Sequence, residues 1–440
     1  MKLYSTRNPN HQVSLKEAVL KGLPEDNGLY MPDRLPRLPD DFIQSLPDYS
    51  FSEIAYQVAH QLFHDAIPAA DLRRIIDRSI TFPAPLVQLD ERTYILELFH
   101  GPSLAFKDFG ARFMAQLMSY FNREAEQDLI ILVATSGDTG GAVAAGFFQT
   151  PGIEVVILYP TGKVSPLQEK QLTTLGHNIQ AIEIDGTFDD CQALVKRAFL
   201  APELRRSMRL SSANSINIAR LIPQSFYYFE AYKQLPDDGR PTAFCVPSGN
   251  FGNLTAGLFA ARMGLPIDHF IAATNINDVV PTYLDSGVFT PRPSVRTISN
   301  AMDVGNPSNF ARMEDLFQPG FAEKCSTWNN MQRKISGFAF DDQETRLAIN
   351  NIFRQHQYTL DPHGAVGYLA LQTFQQQQPQ YKGVILETAH PAKFNKEVEA
   401  AIHQAVPVPK RLAELVHKEK SAHFLPPAFS QFKQWLLDHF

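Results

Sequence analysis

The sequence predicts an α/β protein in which mostly parallel, doubly wound sheets are covered by helices on both faces. Short, almost entirely apolar runs recur along the chain, and a longer helical pattern follows most of them. Strands buried on both faces have this composition, because helices cover the two sides of a parallel sheet. A length of 440 residues exceeds one small core and indicates two or three lobes.

The first part of the chain does not follow this alternation. Residues 1–90 are irregular and rich in proline, and their clearest helical pattern is SEIAYQVAHQLF, residues 52–63. We interpret residues 1–90 as a separate N-terminal lobe.

The alternation of strands and helices begins after residue 90. The predicted strands are YILEL (94–98), LIILVA (129–134), VVILYP (155–160), IQAIEID (179–185), TAFCV (242–246), HFIAATN (269–275) and GVILETA (383–389). The predicted helices are the segment that begins near Lys107, GGAVAAGFF (140–148), SPLQEKQLTTL (165–175), DDCQALVKRAFL (189–200) and LTAGLFAARM (254–263). Ligands of open α/β sheets bind outside the carboxyl ends of the strands. We therefore expect the chemistry in the loops after LIILVA, TAFCV and GVILE.

Composition excludes several classes of function. A net charge of −6 disfavours nucleic acid as a partner, because a mildly acidic protein repels phosphate backbones. No apolar run reaches the roughly 18 residues of a membrane helix, and the N-terminus lacks the apolar core of a signal peptide. Three widely spaced cysteines, Cys191, Cys245 and Cys325, give no disulfide framework, and no metal-binding motif occurs. We expect a cytoplasmic protein without a metal, a membrane or nucleic acid as partner.

The first candidate site is the loop ATSGDTGGA after the strand LIILVA. Thr135, Ser136, Asp138 and Thr139 lie between this strand and a predicted helix, whose free N–H groups and positive dipole end favour an anion. The alternative is a plain helix cap, because Ser, Thr and Asp are also the preferred capping residues.

The second candidate site is VPSGNFGNLTAG, residues 246–257, in which the end of the strand TAFCV runs into a loop. It repeats the strand–loop–helix arrangement and carries two glycines spaced GxxG, but it matches neither a Walker A loop nor GxGxxG. The loop therefore favours a single phosphate monoester over ATP or a dinucleotide, and the alternative is a glycine-rich turn without a ligand.

Lys107 lies among aromatic and small residues in the sequence. If the residues after Ala105 are helical, Phe106, Phe109 and Phe113 share an apolar face, and small residues beside Lys107 leave space around its amine. A desolvated lysine has a lowered pKa and can act as a nucleophile. A surface lysine with a buried stem is the alternative that composition alone favours.

Several motifs resemble one enzyme family. They are, in chain order, VSLKEAVLKGLPEDNGLYMP, ELFHGPSLAFKDFGARFMAQ, ATSGDTGGA, SANSINIAR, PSGNFGN, TNINDVVP, SNAMDVGNPSNFAR and ETAHPAKF. Together they are similar to the threonine synthase family, in its longer bacterial and fungal form, over essentially the whole chain. The resemblance implies the tryptophan synthase β fold with pyridoxal 5′-phosphate as cofactor. It also implies a catalytic core at 91–440, a smaller lobe at about 115–235 inserted in a larger one, and a monomer.

The resemblance assigns the cofactor site residue by residue. Lys107 is the lysine that forms a Schiff base with the cofactor, and Thr388 is the hydroxyl residue beside its pyridine nitrogen. Asp138 faces the ring hydroxyl, where a carboxylate would repel a phenolate oxygen unless a proton is shared. The residues implied to hold the phosphate are Gly249, Asn250, Phe251 and Gly252, flanked by Ser248 and Asn253.

The resemblance also implies the substrate site. The residues are Thr135, Ser136 and Thr139 in the first loop and Asn214, Ser215, Asn217 and Arg220 in the segment NSINIAR. Arginine suits phosphate because of its forked donors, although a charge on the solvent side of a helix is the alternative for Arg220. Asp303 and Asn309 lie in a family segment without an assigned role.

The implied reaction converts O-phospho-L-homoserine and water into L-threonine and phosphate. A phospholyase, which would release 2-oxobutyrate, ammonia and phosphate from the same substrate, is the first alternative. A non-catalytic phosphate- or nucleotide-binding module would use the two loops without needing Lys107.

Overall fold

The computed structural model describes residues 1–135, 137–318 and 326–440. The strands are β1 (Lys2–Ser5), β2 (Asn8–Ser14), β3 (Tyr30–Pro32), β4 (Leu86–Gln88), β5 (Thr93–Glu97), β6 (Leu129–Ala134), β7 (Ile153–Pro160), β8 (Ile179–Ile184), β9 (Arg209–Ser212), β10 (Thr242–Pro247), β11 (His269–Thr274), β12 (Ile335–Ala339), β13 (Lys382–Glu387) and β14 (His423–Leu425).

The helices cover the faces of the sheets and connect their strands. They are α1 (Leu15–Lys21), α2 (Asp40–Gln44), α3 (Phe51–Phe63), α4 (Ala69–Ser79), α5 (Lys107–Asn122), α6 (Asp138–Phe147), α7 (Pro166–Thr173), α8 (Phe188–Leu200), α9 (Pro202–Ser207), α10 (Ile218–Leu221), α11 (Phe226–Gln234), α12 (Gly252–Arg262), α13 (Val279–Ser286), α14 (Phe310–Leu316), α15 (Thr327–Gln332), α16 (Asp342–His356), α17 (Pro362–Gln377), α18 (Asn395–Ile402), α19 (Lys410–Val416) and α20 (Phe429–His439).

Two sheets of parallel strands build the catalytic part of the chain. A six-stranded sheet has the order β12-β11-β10-β13-β5-β4, and only β4 runs antiparallel to its neighbour. A five-stranded sheet has the order β14-β8-β7-β6-β9 and is parallel throughout. The predicted α/β class with mostly parallel sheets is confirmed.

The N-terminal region forms a sheet of its own but shares a core with the rest. Strands β1, β2 and β3 pair antiparallel. Helices α3 and α4 contribute side chains to the hydrophobic cluster that also contains Phe109 and Phe113 of α5. The ring of Phe63 stacks on Phe113 at 6.0 Å, and those of Phe51 and Phe82 lie 5.7 and 4.6 Å from Phe109. This aromatic packing joins α5 to the N-terminal region.

The C-terminal segment returns to the five-stranded sheet. Strand β14 pairs with β8, and Lys420 Nζ lies 2.7 Å from Glu169 and 2.5 Å from Glu183. The sequence pattern gave no signal for this strand, because it is only three residues long. The five-stranded sheet therefore draws on residues 129–212 and 423–425, whereas the lobes with boundaries at 90, 115 and 235 stay a prediction.

No helix in the described ranges is long and apolar enough to cross a membrane. The same residues contain no group of three His, Cys, Asp or Glu side chains arranged to hold a metal ion.

Candidate active site

Lys107 is the first residue of α5 and lies beside the end of β13. The segment before it runs along the residues that follow β13: Phe106 N–H donates to the Thr388 carbonyl at 2.8 Å, and Ala105 forms a bridge with Ala389. Strands β5 and β13 are parallel neighbours, so their carboxyl ends deliver Lys107 and Thr388 to the same edge of the sheet. The structure thereby brings together two of the predicted site residues that are far apart in sequence.

The surroundings of Lys107 favour its neutral amine. Lys107 retains some accessible surface, but the packing around it is dense enough for desolvation to lower its pKa to about 8. Asp138 raises this pKa, and the positive charges of Lys393 and Arg220 lower it further. This desolvation argues against an ordinary surface lysine, because an exposed lysine keeps a pKa near 10.4.

Asp138 is the first residue of α6 and forms a buried ion pair. Its Oδ1 atom lies 2.6 Å from Lys393 Nζ and accepts a hydrogen bond from Gln168 Nε2 at 2.9 Å. Burial raises the pKa of Asp138, but the charges of Lys393 and Lys107 and these two hydrogen bonds outweigh it and hold the pKa well below its usual range. Asp138 is therefore a carboxylate, and its charge is already matched by a cation.

A second buried carboxylate follows Lys107. Asp108 is fully buried, accepts a hydrogen bond from Ser103 N–H at 2.8 Å through Oδ2, and leaves Oδ1 without a partner in the described part of the chain. Burial raises its pKa to about 6, against the opposing effect of its bonds to Ser103 and the charge of Lys393. Ser103 in turn uses its carbonyl oxygen to accept from Lys393 Nζ at 2.8 Å.

The loop after β10 leaves its backbone N–H groups free. Within the described residues, no acceptor lies against the N–H groups of residues 249–253, while the neighbouring Ser248 N–H donates to Ala273 at 2.9 Å. Phe251 caps α12 in the left-handed conformation at φ 59°, which turns the loop sharply into the helix. A Cβ at Gly249 would meet the Ala301 carbonyl at 2.4 Å, so that only glycine fits there. Free N–H groups at the start of an eleven-residue helix suit a phosphate.

Side chains from two other segments hold this loop in place. Asn250 donates to Ser215 Oγ at 2.6 Å and accepts from Ser308 N–H at 2.5 Å. Asn309 donates to the Asn250 carbonyl at 3.0 Å, and the fully buried Arg312 donates to Asn309 at 2.7 Å. Asn309, which had no role from the sequence, thus supports the loop.

Three of the predicted ligand-binding side chains are occupied by hydrogen bonds to their own backbone surroundings. Thr135 Oγ1 accepts from Gly140 N–H at 2.8 Å and stabilises the turn before α6. Ser248 Oγ donates to Val246 at 2.9 Å, and Asn253 Nδ2 donates to Pro247 at 2.8 Å. These side chains shape the two loops, which fits the helix-cap alternative for Thr135.

Asn217 also has a structural position. It is fully buried, donates to the Val19 carbonyl at 2.9 Å, and caps α10 by accepting from Ala219 N–H at 3.0 Å. Its side chain ties the NSINIAR segment to the N-terminal region, so its predicted contact with substrate would have to compete with both bonds.

Arg220 is buried, contrary to the alternative of a solvent-facing helix charge. Only 3% of its surface is exposed, one guanidinium nitrogen donates to Ala213 at 2.7 Å, and Nε has no acceptor among the described residues. Burial lowers its pKa to about 10, although Asp108 raises it. A buried guanidinium with an unused donor requires an anion, and phosphate meets that requirement.

Thr388 is 5% exposed, and its hydroxyl has no hydrogen-bond partner in the described part of the chain. Thr139 and Asn214 are partly exposed, and Ser136 lies outside the described residues. Sequence reasoning missed Lys393, Gln168 and Asp108 as members of the site. The motif ETAHPAKF contained Lys393, but nothing in its spacing indicated a partner 255 positions away.

The donor set fits pyridoxal phosphate. The free N–H groups of residues 249–253 suit a phosphate monoester, and the unpartnered hydroxyl of Thr388 suits a neutral ring nitrogen. Lys107 supplies an amine with a pKa of about 8. A phosphate cradle and a reactive amine at one sheet edge are what this cofactor needs from a protein.

Family comparisons agree with this interpretation. The family model described as "Pyridoxal-phosphate dependent enzyme" matches residues 79–388. The chain is therefore a pyridoxal-phosphate-dependent enzyme. Two further models, "Threonine synthase N terminus" and "Threonine synthase, C-terminal", match residues 2–80 and 364–435. The chain belongs to the threonine synthase family.

Individual relatives match over the full length. The threonine synthase of Escherichia coli (strain K12) is 45% identical over 440 residues, which is 100% of both chains. The crystal structure of threonine synthase from Escherichia coli superposes with a TM-score of 0.91 at 44% identity and covers 100% of both chains. The pyridoxal-phosphate-bound threonine synthase of Brucella melitensis superposes with a TM-score of 0.93 at 36% identity, covering 100% of this chain and 99% of that chain. The predicted family and cofactor are confirmed.

Proposed function

We propose that this protein converts O-phospho-L-homoserine and water into L-threonine and phosphate. Full-length membership of the threonine synthase family carries the proposal. The site supports it, because a lysine with a pKa of about 8 lies next to a phosphate cradle and a buried arginine with an unused donor.

The proposal assigns tasks to the groups that would surround the cofactor. The backbone N–H groups of residues 249–253 would hold its phosphate, the Thr388 hydroxyl would face the ring nitrogen, and Asp138, which is paired with Lys393, would face the ring hydroxyl. Pyridoxal phosphate, when bound, supplies an electron sink for the negative charge that develops on the substrate.

Lys107 moves the protons. Its Nζ atom takes the proton from Cα of the substrate and then one from Cβ, and protons return to Cγ after the phosphate has left and to Cα before the product is released. A pKa of about 8 leaves about a tenth of the amine unprotonated at pH 7, and a general base requires this neutral form. An ordinary lysine would be almost fully protonated there.

Arg220 and the polar groups near it bind the phosphate that leaves the substrate. The phosphate departs from Cγ with growing negative charge, and the buried Arg220 guanidinium stabilises that charge without having to shed water. Ser215, Asn214 and Thr139 are further candidates for the substrate side, with Ser136 proposed from the sequence alone. Water then adds at Cβ, and the same atoms leave as threonine and inorganic phosphate.

Product analysis tests this function. Purified protein supplied with pyridoxal phosphate and O-phospho-L-homoserine should release threonine and inorganic phosphate in equal amounts. Phosphate with 2-oxobutyrate and ammonia would instead establish the phospholyase. A protein that binds the phosphate-bearing cofactor and releases no product from this substrate would refute the proposed reaction.

The role of Lys107 needs a matched variant. Lys107→Ala should lose turnover almost completely, because no other group supplies an amine at that position. Lys410→Ala is the control, since Lys410 is also the first residue of its helix and its side chain is 91% exposed. Near-normal activity of the Lys107 variant would refute the central assignment.

We also propose a monomer in the cytoplasm, with lobe boundaries near residues 90, 115 and 235. Sedimentation equilibrium and cell fractionation test the first two statements, and limited proteolysis tests the third. Cleavage should concentrate near these boundaries if the lobes are separate folding units.

A further inference from the structure

Lys393 occupies a position that the proposed reaction does not explain. It lies in the 3₁₀ turn Pro391–Phe394 after β13 and is 4% exposed. Its ammonium group contacts Asp138 Oδ1 at 2.6 Å and the Ser103 carbonyl at 2.8 Å. A buried ammonium loses much of its hydration, so it persists only where anionic or carbonyl partners replace the water.

Lys393 also connects the two parallel sheets of the chain. The turn that carries it follows a strand of the six-stranded sheet, whereas Asp138 begins the helix that follows β6 of the five-stranded sheet. The pair therefore sits where the two sheets meet.

Titratable groups from three elements surround this pair. They are Lys107 and Asp108 of α5, Arg220 of α10, and His390 next to the turn of Lys393 itself. Lys107 lies between Asp138, which favours its protonated form, and two cations, which disfavour it. The protonation of Lys107 therefore depends on whether the charge of Asp138 is matched.

We propose that Lys393 is a positioning residue that neutralises Asp138 beside the cofactor ring and so sets the charge felt by the Lys107 nitrogen. This rests on the proposed function, because it concerns the same cofactor site. The proposal also explains how Asp138 can face the ring hydroxyl, as the family resemblance implies. A carboxylate repels a phenolate oxygen unless a cation compensates its charge.

The charges predict opposite effects for the two single variants. Lys393→Met leaves Asp138 as an unmatched anion, which stabilises a proton on the nitrogen of Lys107. Asp138→Asn leaves Lys393 as an unmatched cation, which destabilises that proton. The double variant Asp138→Asn with Lys393→Met restores neutrality. A purely mechanical tether would show none of this dependence on sign.

The test is a pH titration of the visible absorption band of the holoenzyme without substrate. We expect Lys393→Met to move the midpoint upward by about one pH unit or more, and Asp138→Asn to move it downward. The double variant should return to within about 0.3 pH unit of the wild type, and Lys393→Arg, which keeps the charge, should stay close to it. Bound cofactor measured by equilibrium dialysis gives a second readout that needs no turnover.

The outcomes separate the two proposals. Midpoints that do not move in Lys393→Met, or that move in the same direction in both single variants, overturn the charge role of Lys393 and leave the reaction intact. A wild-type protein without a visible band overturns the reaction and this inference together. If Lys393→Met does not fold, the neutral double variant should fold. Failure of both variants to fold would mean that Lys393 acts only as a mechanical link between the two sheets.

Discussion

Replacing Asp108 with asparagine should stabilise the protein at neutral pH. Asp108 is fully buried, and its pKa is raised from 3.8 to about 6, chiefly by desolvation. A group with a raised pKa in the folded state binds protons more tightly there than in the unfolded chain. Its ionised form therefore costs stability above the folded pKa, and the cost disappears as the pH falls toward the unfolded value.

The expected magnitude follows from the shift. A rise of about two pKa units corresponds to about 3 kcal/mol between the ionised and neutral forms. Asparagine keeps an oxygen that can accept the bond from Ser103 N–H, and it leaves one atom without a partner, as Asp108 already does. We therefore expect Asp108→Asn to gain about 3 kcal/mol at pH 7, about 1.5 kcal/mol at pH 5 and only about 0.5 kcal/mol at pH 4.

Denaturant unfolding of the cofactor-free protein measures this gain. Urea midpoints at pH 7, pH 5 and pH 4 should converge between the variant and the wild type as the pH falls. Asp189→Asn is the matched control, because Asp189 is also the second residue of its helix and is exposed. Parallel curves at all three pH values, or a variant that is less stable at pH 7, would refute the assignment of a raised pKa to Asp108.

Four further variants probe the ligand loops and contacts. Gly249→Ala should destabilise the cofactor-free protein, because the new Cβ would lie 2.4 Å from a backbone carbonyl oxygen. Gly252→Ala should leave that stability unchanged, since the nearest atom is 3.4 Å from its new Cβ, but it should weaken cofactor binding about tenfold or more. Equal melting temperatures of the two cofactor-free variants would contradict this prediction. Arg220→Lys should lower kcat/KM for the phosphorylated substrate about tenfold or more, since lysine lacks the forked donors, whereas the exposed Arg262→Lys should not change it. Thr388→Val keeps the backbone hydrogen bond to Phe106, so the melting temperature of the cofactor-free protein should not change. Cofactor affinity in equilibrium dialysis should fall, because the hydroxyl is lost. Unchanged affinity would mean that the ring nitrogen does not contact Thr388.

The strands that sequence patterns identified well are those buried on both faces. LIILVA was predicted at 129–134 and forms β6 at Leu129–Ala134, and TAFCV forms β10 with one additional residue. The sequence patterns did not predict strands β9 and β12, because both are short and contain serine, glycine or arginine. Their composition therefore resembles that of a loop. Their strand character comes from pairing with a long buried neighbour rather than from their own sequence.

The site residues also differ in how far the sequence could predict them. The glycine-rich loops carry a local signal, which predicted an anion site. Composition alone favoured a surface position for Lys107, and the family resemblance supplied its predicted role. The partner of a buried polar side chain carries no such signal when it lies far away in sequence. Asp138 with Lys393, and Asn217 with Val19, are separated by 255 and 198 positions, and only the tertiary structure brings them together.

Helix α5 explains how the fold tolerates so many charges around one amine. Its first two residues, Lys107 and Asp108, carry charges that desolvation makes unfavourable. Within the next two turns, Phe109 and Phe113 are fully buried among aromatic rings of α3 and α11 and of the segment before β4. Burying one such side chain contributes about 1.5–3 kcal/mol, which is comparable to the cost of one shifted charge. The aromatic half of the helix thus stabilises the reactive half, and it keeps the amine at the sheet edge where its lowered pKa is useful.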